Sequence, residues 1–197
     1  MHVRTRHTPA FGVARVTLTS GEAVEASADT VLAHSFGVTR SKKGKSSGPA
    51  IFTAPAQGGW IDLAPRQPGD VYPLELSGQL GWSVASDAVL ARPATVRHDH
   101  PWPAHQSLFG GDSGFLKHFS GVGSLVFASR GPVDALTLKA GEVVTVNPLF
   151  VLAFPDTVQV RLRALDPAEP QSIRTGEGLA LDVAGPGTVL VQTRARP

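Results

Sequence analysis

Apolar residues alternate with polar ones in short runs along the whole chain. Examples are Val16 and Leu18, Ile61 and Leu63, Leu74 and Leu76, Leu125 and Phe127, Leu136 and Leu138, and Val189 and Val191. A two-residue period places one face of a strand against a core. The runs are about 4–7 residues long and stop at Gly, Pro, Asp or Asn. They recur roughly every 8–12 residues, the spacing of sandwiches and barrels. No window sustains the i, i+3, i+4, i+7 spacing of an amphipathic helix, so the pattern predicts an all-β chain with little or no helix.

The runs also repeat. Leu18-Thr19-Ser20-Gly21-Glu22 leads to Val31-Leu32-Ala33, Leu76-Ser77-Gly78-Gln79 to Val89-Leu90-Ala91, and Leu138-Lys139-Ala140-Gly141-Glu142 to Val151-Leu152-Ala153. The period is about 60 residues, which means one supersecondary unit used three times. A second repeated element interleaves with the first. Gly121-Val122-Gly123 precedes the strand at 124–127, Gly185-Pro186-Gly187 precedes the strand at 188–191, and Gly58-Gly59 precedes Trp60-Ile61. The expectation is one β domain over 1–197 with repeats at about 13–70, 71–133 and 134–197. Gly21, Gly78, Gly121, Gly123, Gly141, Gly185 and Gly187 are expected at its turns, where backbone freedom matters most.

Composition sharpens this picture. Apolar residues make up 42% and charged ones 17% of the 197, so the chain reads as globular. The 21 Gly and 16 Pro are punctuation for short strands. The absence of Cys removes disulfides, zinc–thiolate sites and thiol catalysis together, and fits a reducing compartment, here expected to be cytoplasmic. No stretch approaches ~18 consecutive apolar residues, so no transmembrane segment is expected. The basic opening, Met1 to His7, lacks an apolar core and reads as no secretory signal. An isoelectric point of 9.3 suggests a polyanion partner, yet the net charge is only +2. A small excess of cations gives that value in a chain with one Tyr and no Cys, so it argues little for nucleic acid.

Several motifs resemble one known family. They are Phe11-Gly12-Val13, Phe52-Thr53-Ala54-Pro55-Ala56 with Gly58-Gly59, Leu63-Ala64-Pro65 with Pro68-Gly69-Asp70, and the closing Gly185-Pro186-Gly187 with Gln192-Thr193-Arg194. Together they resemble the altered-inheritance-of-mitochondria family over nearly the whole chain. The resemblance implies a fold like that of the tryptophan RNA-binding attenuation protein (TRAP-like), a short double-stranded β-helix or β-sandwich duplicated within the chain. It further implies symmetric homo-oligomers, trimers in particular, a tie to mitochondrial membrane organisation, and no established catalysis. The His-rich stretch at 98–105 departs from the family, whose members carry Gly and aromatic residues there.

Four constellations invite a chemical reading. Gly111-Asp112-Ser113-Gly114 resembles the nucleophile segment of chymotrypsin-like proteases, and Leu32-Ala33-His34-Ser35 their histidine segment. Against this, Phe115 stands where the protease motif needs Gly, and His34 shares its repeat position with Arg92 and Phe154. Next, His98 and His100 on one strand face, with His105, are weak metal candidates of the cupin kind. The acid that cupins supply a few residues later is missing, because Pro101, Trp102 and Pro103 follow. Lys42, Lys43 and Lys45 could touch single-stranded nucleic acid or an anionic membrane surface, but the aromatics that stack bases are few. Asp62 and Asp70 read as turn carboxylates with nothing to place them across a cleft.

The sequence therefore favours a non-catalytic oligomeric scaffold or binding protein. It needs no cofactor and no catalytic residues, pairs with itself and leaves any protein partner unspecified. The competing readings are a cupin-like metalloenzyme and a nucleic-acid-binding ring.

Overall fold

The computed structural model describes residues 1–42, 49–99, 115–165 and 178–196. Lys43, Lys45, His100, His105 and Ser113 lie outside these residues, as does the Lys42 side chain. Eighteen strands carry the described chain. β1 (His2–Arg6) precedes the repeats, and the first repeat holds β2 (Val13–Leu18), β3 (Ala23–Ala26), β4 (Val31–His34), β5 (Thr39–Lys42), β6 (Ala50–Thr53) and β7 (Gly59–Leu63). The second holds β8 (Val71–Ser77), β9 (Trp82–Ala85), β10 (Val89–Pro93), β11 (Val96–Asp99) and β12 (Leu116–Ala128). The third holds β13 (Val133–Leu138), β14 (Val143–Val146), β15 (Val151–Pro155), β16 (Gln159–Ala164), β17 (Leu179–Ala184) and β18 (Gly187–Gln192). Helical structure among the described residues is confined to 3₁₀ turns at Ala28–Thr30 and Pro148–Phe150. The chain is all-β, as the alternating pattern predicts.

One wiring diagram serves all three units, and every pairing in it is antiparallel. In the first, β7 sits between β2 and β4, and β6 between β3 and β5. In the third, β18 sits between β13 and β15, and β17 between β14 and β16. The middle unit fuses the two central strands into the 13-residue β12. Its first half pairs with β9 and β11, its second half with β8 and β10. The same register shift recurs after Val31, Val89 and Val151, so these residues are equivalent.

That fusion corrects one reading of the glycines. Gly121 and Gly123 lie inside β12, not at a hairpin turn. Their φ values of 120° and 129° are ones a side chain rarely adopts. A Cβ at Gly121 would meet the Thr95 carbonyl oxygen at 2.1 Å. The glycines let β12 change partners where β11 crosses close by. Gly21, Gly78 and Gly141 do occupy the short turns that follow β2, β8 and β13. In two of those turns a carboxylate caps the backbone: Glu22 accepts from the Thr19 N–H at 2.9 Å, and Glu142 from the Lys139 N–H at 2.6 Å.

Adjacent repeats join by a strand and a plug. β10 pairs with β3, setting Ala91, Arg92 and Pro93 opposite Ala26, Glu25 and Val24. β15 pairs with β9 in the same way, setting Ala153, Phe154 and Pro155 opposite Val84, Ser83 and Trp82. At each junction a leucine enters the preceding repeat's core. Leu90 packs in the cluster built on Val16, Val24, Phe52 and Ile61, and Leu152 in the cluster built on Leu74, Val84, Leu125 and Phe127. Fully burying such a side chain contributes about 1.5–3 kcal/mol. The segments entering the repeats also meet: the Gly12 N–H donates to the Gly69 carbonyl at 2.9 Å, and the Asp70 N–H to that of Gly131 at 3.3 Å.

Candidate functional site

Chemistry needs convergent polar groups, and the charged clusters of this chain bring such groups together. Asp62 is buried within β7, next to its last residue, and not at a turn; it interrupts the two-residue period there as a partnered charge. The register sets it opposite Arg15, whose Nε and Nη2 each donate to it at 2.8 Å. Arg6 adds donors at 2.7 and 3.3 Å. The Arg15 guanidinium also lies 4.1 Å from the Trp60 ring centre. Hydrogen bonds from Arg15 first, with Arg6 behind them, hold the Asp62 carboxyl down at about 2 against the cost of burial. Its oxygens are saturated by these donors, so the cluster ties β1, β2 and β7 together and offers no base.

His118 on β12 is buried between two acids. Its Nε2 stands 3.0 and 3.2 Å from the Asp156 carboxylate oxygens, and its Nδ1 3.4 Å from Asp99. Asp156 also accepts from the Gly81 N–H at 3.0 Å. The acids approach opposite ring nitrogens, so the three groups do not converge on one point. They clamp the turn after β15 onto β12, which joins the second and third repeats.

Among the clefts formed by the described residues, two are lined by charged groups from more than one repeat. The first, about 370 Å³, is lined by residues of all three repeats, including Ser27, Asp87, Ser129 and Gln192. The charges that line it are paired: Arg66 with Asp29, and Arg130 with Asp87 at 3.7 Å, an acid that Arg196 from outside the lining also approaches at 3.7 Å. Arg66, Arg130 and Arg194 follow β7, β12 and β18 at equivalent points, a repeat signal that strand alternation alone does not bring out. The second cleft, about 450 Å³, is lined by Glu25, Arg92, His98, Lys117 and Phe119 among others. Arg92 is paired there with Glu25 at 2.8 Å.

The described residues among those singled out by their motifs are scattered. His98 lies on β11, its ring 5.5 Å from that of Phe119. No group of three or more His, Asp or Glu among the described residues is arranged to hold a metal. His34 is exposed on β4, its Nδ1 3.1 Å from the Ser35 carbonyl. No helix among the described residues is long and apolar enough to cross a membrane.

Large apolar side chains are exposed in all three repeats, Val122 in the middle one among them, and two such sites lie on β4 and β14, at the two ends of the repeat series. Leu32 on β4 is the counterpart of Leu90 and Leu152; it is 61% exposed, where they are 5% and 0%. Phe36, just after β4, is 99% exposed. At the other end Val143 on β14 is 62% exposed, and β14 as a whole is open where β3 and β9 are largely buried. Among the described strands, β4 pairs only with β7 and β14 only with β17, so each keeps a free edge.

A family model described as mitochondrial biogenesis AIM24 matches residues 3–194. The chain belongs to the AIM24 family. This is the family that the Phe-Thr-Ala-Pro and Pro-Gly-Asp motifs suggest. Among solved structures, the crystal structure of protein SPYM3_0169 from Streptococcus pyogenes superposes with a TM-score of 0.80 at 23% identity, covering 98% of this chain and 94% of that one. At that identity the likeness concerns the fold alone. No curated protein matches the chain.

Proposed function

We propose that this AIM24-family chain is a non-catalytic scaffold or binding protein that works as a homo-oligomer. The observation behind the proposal is the asymmetry among equivalent leucines: the one in the first repeat is exposed and the two inside the series are plugs. Large apolar side chains presented at equivalent, otherwise buried positions mark contact surfaces. The charge clusters support the same reading, since Asp62, His118 and the acids of the first cleft all face partners within the chain. A TRAP-like arrangement and a trimer are the finer expectations of this reading, and the absence of Cys fits a cytoplasmic setting.

Native mass spectrometry of gently purified protein tests it. A homo-oligomer of bare chains is the expected result. A monomer carrying stoichiometric metal would turn attention to His98 and the residues around it. Co-purifying nucleic acid that is lost steeply with salt would favour the ring reading.

A further inference from the structure

β4 and β14 are the two halves of a junction that is made twice between repeats and is unmade at these two strands among the described residues. At each internal junction the strand opening with Val-Leu-Ala pairs antiparallel with the strand that follows a repeat's first turn, and its leucine fills that repeat's core. β4 is such a Val-Leu-Ala strand with no strand beside its outer edge among the described residues. β14 is such an acceptor strand, likewise open. The two lie in different sheets of the same chain and are not paired with each other. Among the described residues the core at β14 is also the least complete: Val144, Val146, Val160 and Leu162 are only partly buried, whereas Val24 and Ala26 on β3 are fully buried.

We infer that β4 of one copy pairs antiparallel with β14 of a second copy, with Leu32 as the plug for that copy's third-repeat core. The inference rests on the homo-oligomeric reading above and names its contact surface. The internal junctions fix the register. Ala91 opposite Ala26 and Ala153 opposite Val84 translate to Ala33 opposite Val146, His34 opposite Thr145 and Ser35 opposite Val144. The equivalences follow from the shared bulge after Val31, Val89 and Val151, and from the Leu-x-x-Gly-Glu turns at Gly21 and Gly141. No like charges meet in this register. Free edges are templates for such pairing. Each copy uses one end as donor and the other as acceptor, so the contact is heterologous and propagates until it closes as a ring.

Heterologous contacts give a test that symmetric ones do not. Leu32→Asp spoils the donor end and leaves the acceptor intact; Val146→Asp does the reverse. Each variant alone is expected to be monomeric by sedimentation velocity, with self-association weakened at least about tenfold. An equimolar mixture of the two is expected to form a one-to-one dimer, using the one good donor and the one good acceptor. Retention of the wild-type assembly by either variant, or a mixture that stays monomeric, overturns the pairing while the oligomeric reading stands. A wild-type chain that is itself monomeric overturns both. Circular dichroism and a melting curve accompany each variant, and Val144→Lys replaces Val146→Asp if the latter does not fold.

Discussion

Replacing Asp62 with Asn tests the account of the β1–β2–β7 corner most directly. The carboxyl is nearly inaccessible and accepts from two guanidinium groups, which holds it at about 2 rather than the ordinary Asp value near 3.9. A depressed carboxylate contributes stability that is complete above its unfolded value and is lost as pH falls through its folded value. The shift corresponds to roughly 2.5 kcal/mol, present at pH 7 and fading between about pH 4 and pH 2. Asp62→Asn keeps the shape and removes the charge, so it is expected to lose about that much at pH 7. In a chain of this size the loss lowers the melting temperature by about 5–10 °C. The assay is a pair of urea titrations, wild type against variant, at pH 7 and at about pH 2, at one protein concentration. The gap between the two proteins should close at the lower pH. Equal stability at pH 7, or a gap undiminished at pH 2, would refute the claim that Arg6 and Arg15 stabilise an ionised Asp62.

The remaining expectations follow from the repeat. Leu152→Ala empties a fully buried plug and is expected to cost about 2–5 kcal/mol in urea unfolding, whereas Leu32→Ala at the equivalent site should change monomer stability by less than about 0.5 kcal/mol. Gly121→Ala, with a backbone oxygen in the way of its Cβ, is expected to cost more than Gly21→Ala, which meets open space and loses only about 1 kcal/mol to its positive φ; equal losses by denaturant titration would contradict that. Arg92→Ala leaves Glu25 without its Arg92 partner across the first junction and is expected to cost about 1–3 kcal/mol, with Glu25→Gln/Arg92→Ala recovering part of the loss in a double-mutant cycle.

Strand period and repeats are readable from residue order because each is a local or a periodic property. Leu-x-x-Gly and Val-Leu-Ala stand out as text, and both mark the same places in space. What residue order hides is which central strands become one. Gly121 and Gly123 look like their counterparts Gly185 and Gly187, yet in the middle repeat the chain runs straight through them. Asp62 likewise reads as a turn residue because an acid inside a strand is unfavourable; only its register opposite Arg15 explains it. The His118 clamp is not legible in residue order, since its acids come from β11 and from the turn after β15, brought in by pairings far apart in sequence. The open ends are hidden for another reason: Leu32, Leu90 and Leu152 are identical as letters and differ only in what lies beside them.

The direction of the plugs has a consequence during synthesis. The cores of the first two repeats are each filled by a leucine that belongs to the next repeat, so a nascent chain cannot complete its first unit when that unit's last strand, β7, has emerged. It must wait for Leu90, and the second unit must wait for Leu152. The first and second units are therefore each held one step short of closure by residues not yet made, so the strands of one repeat emerge with their core open until the next repeat follows.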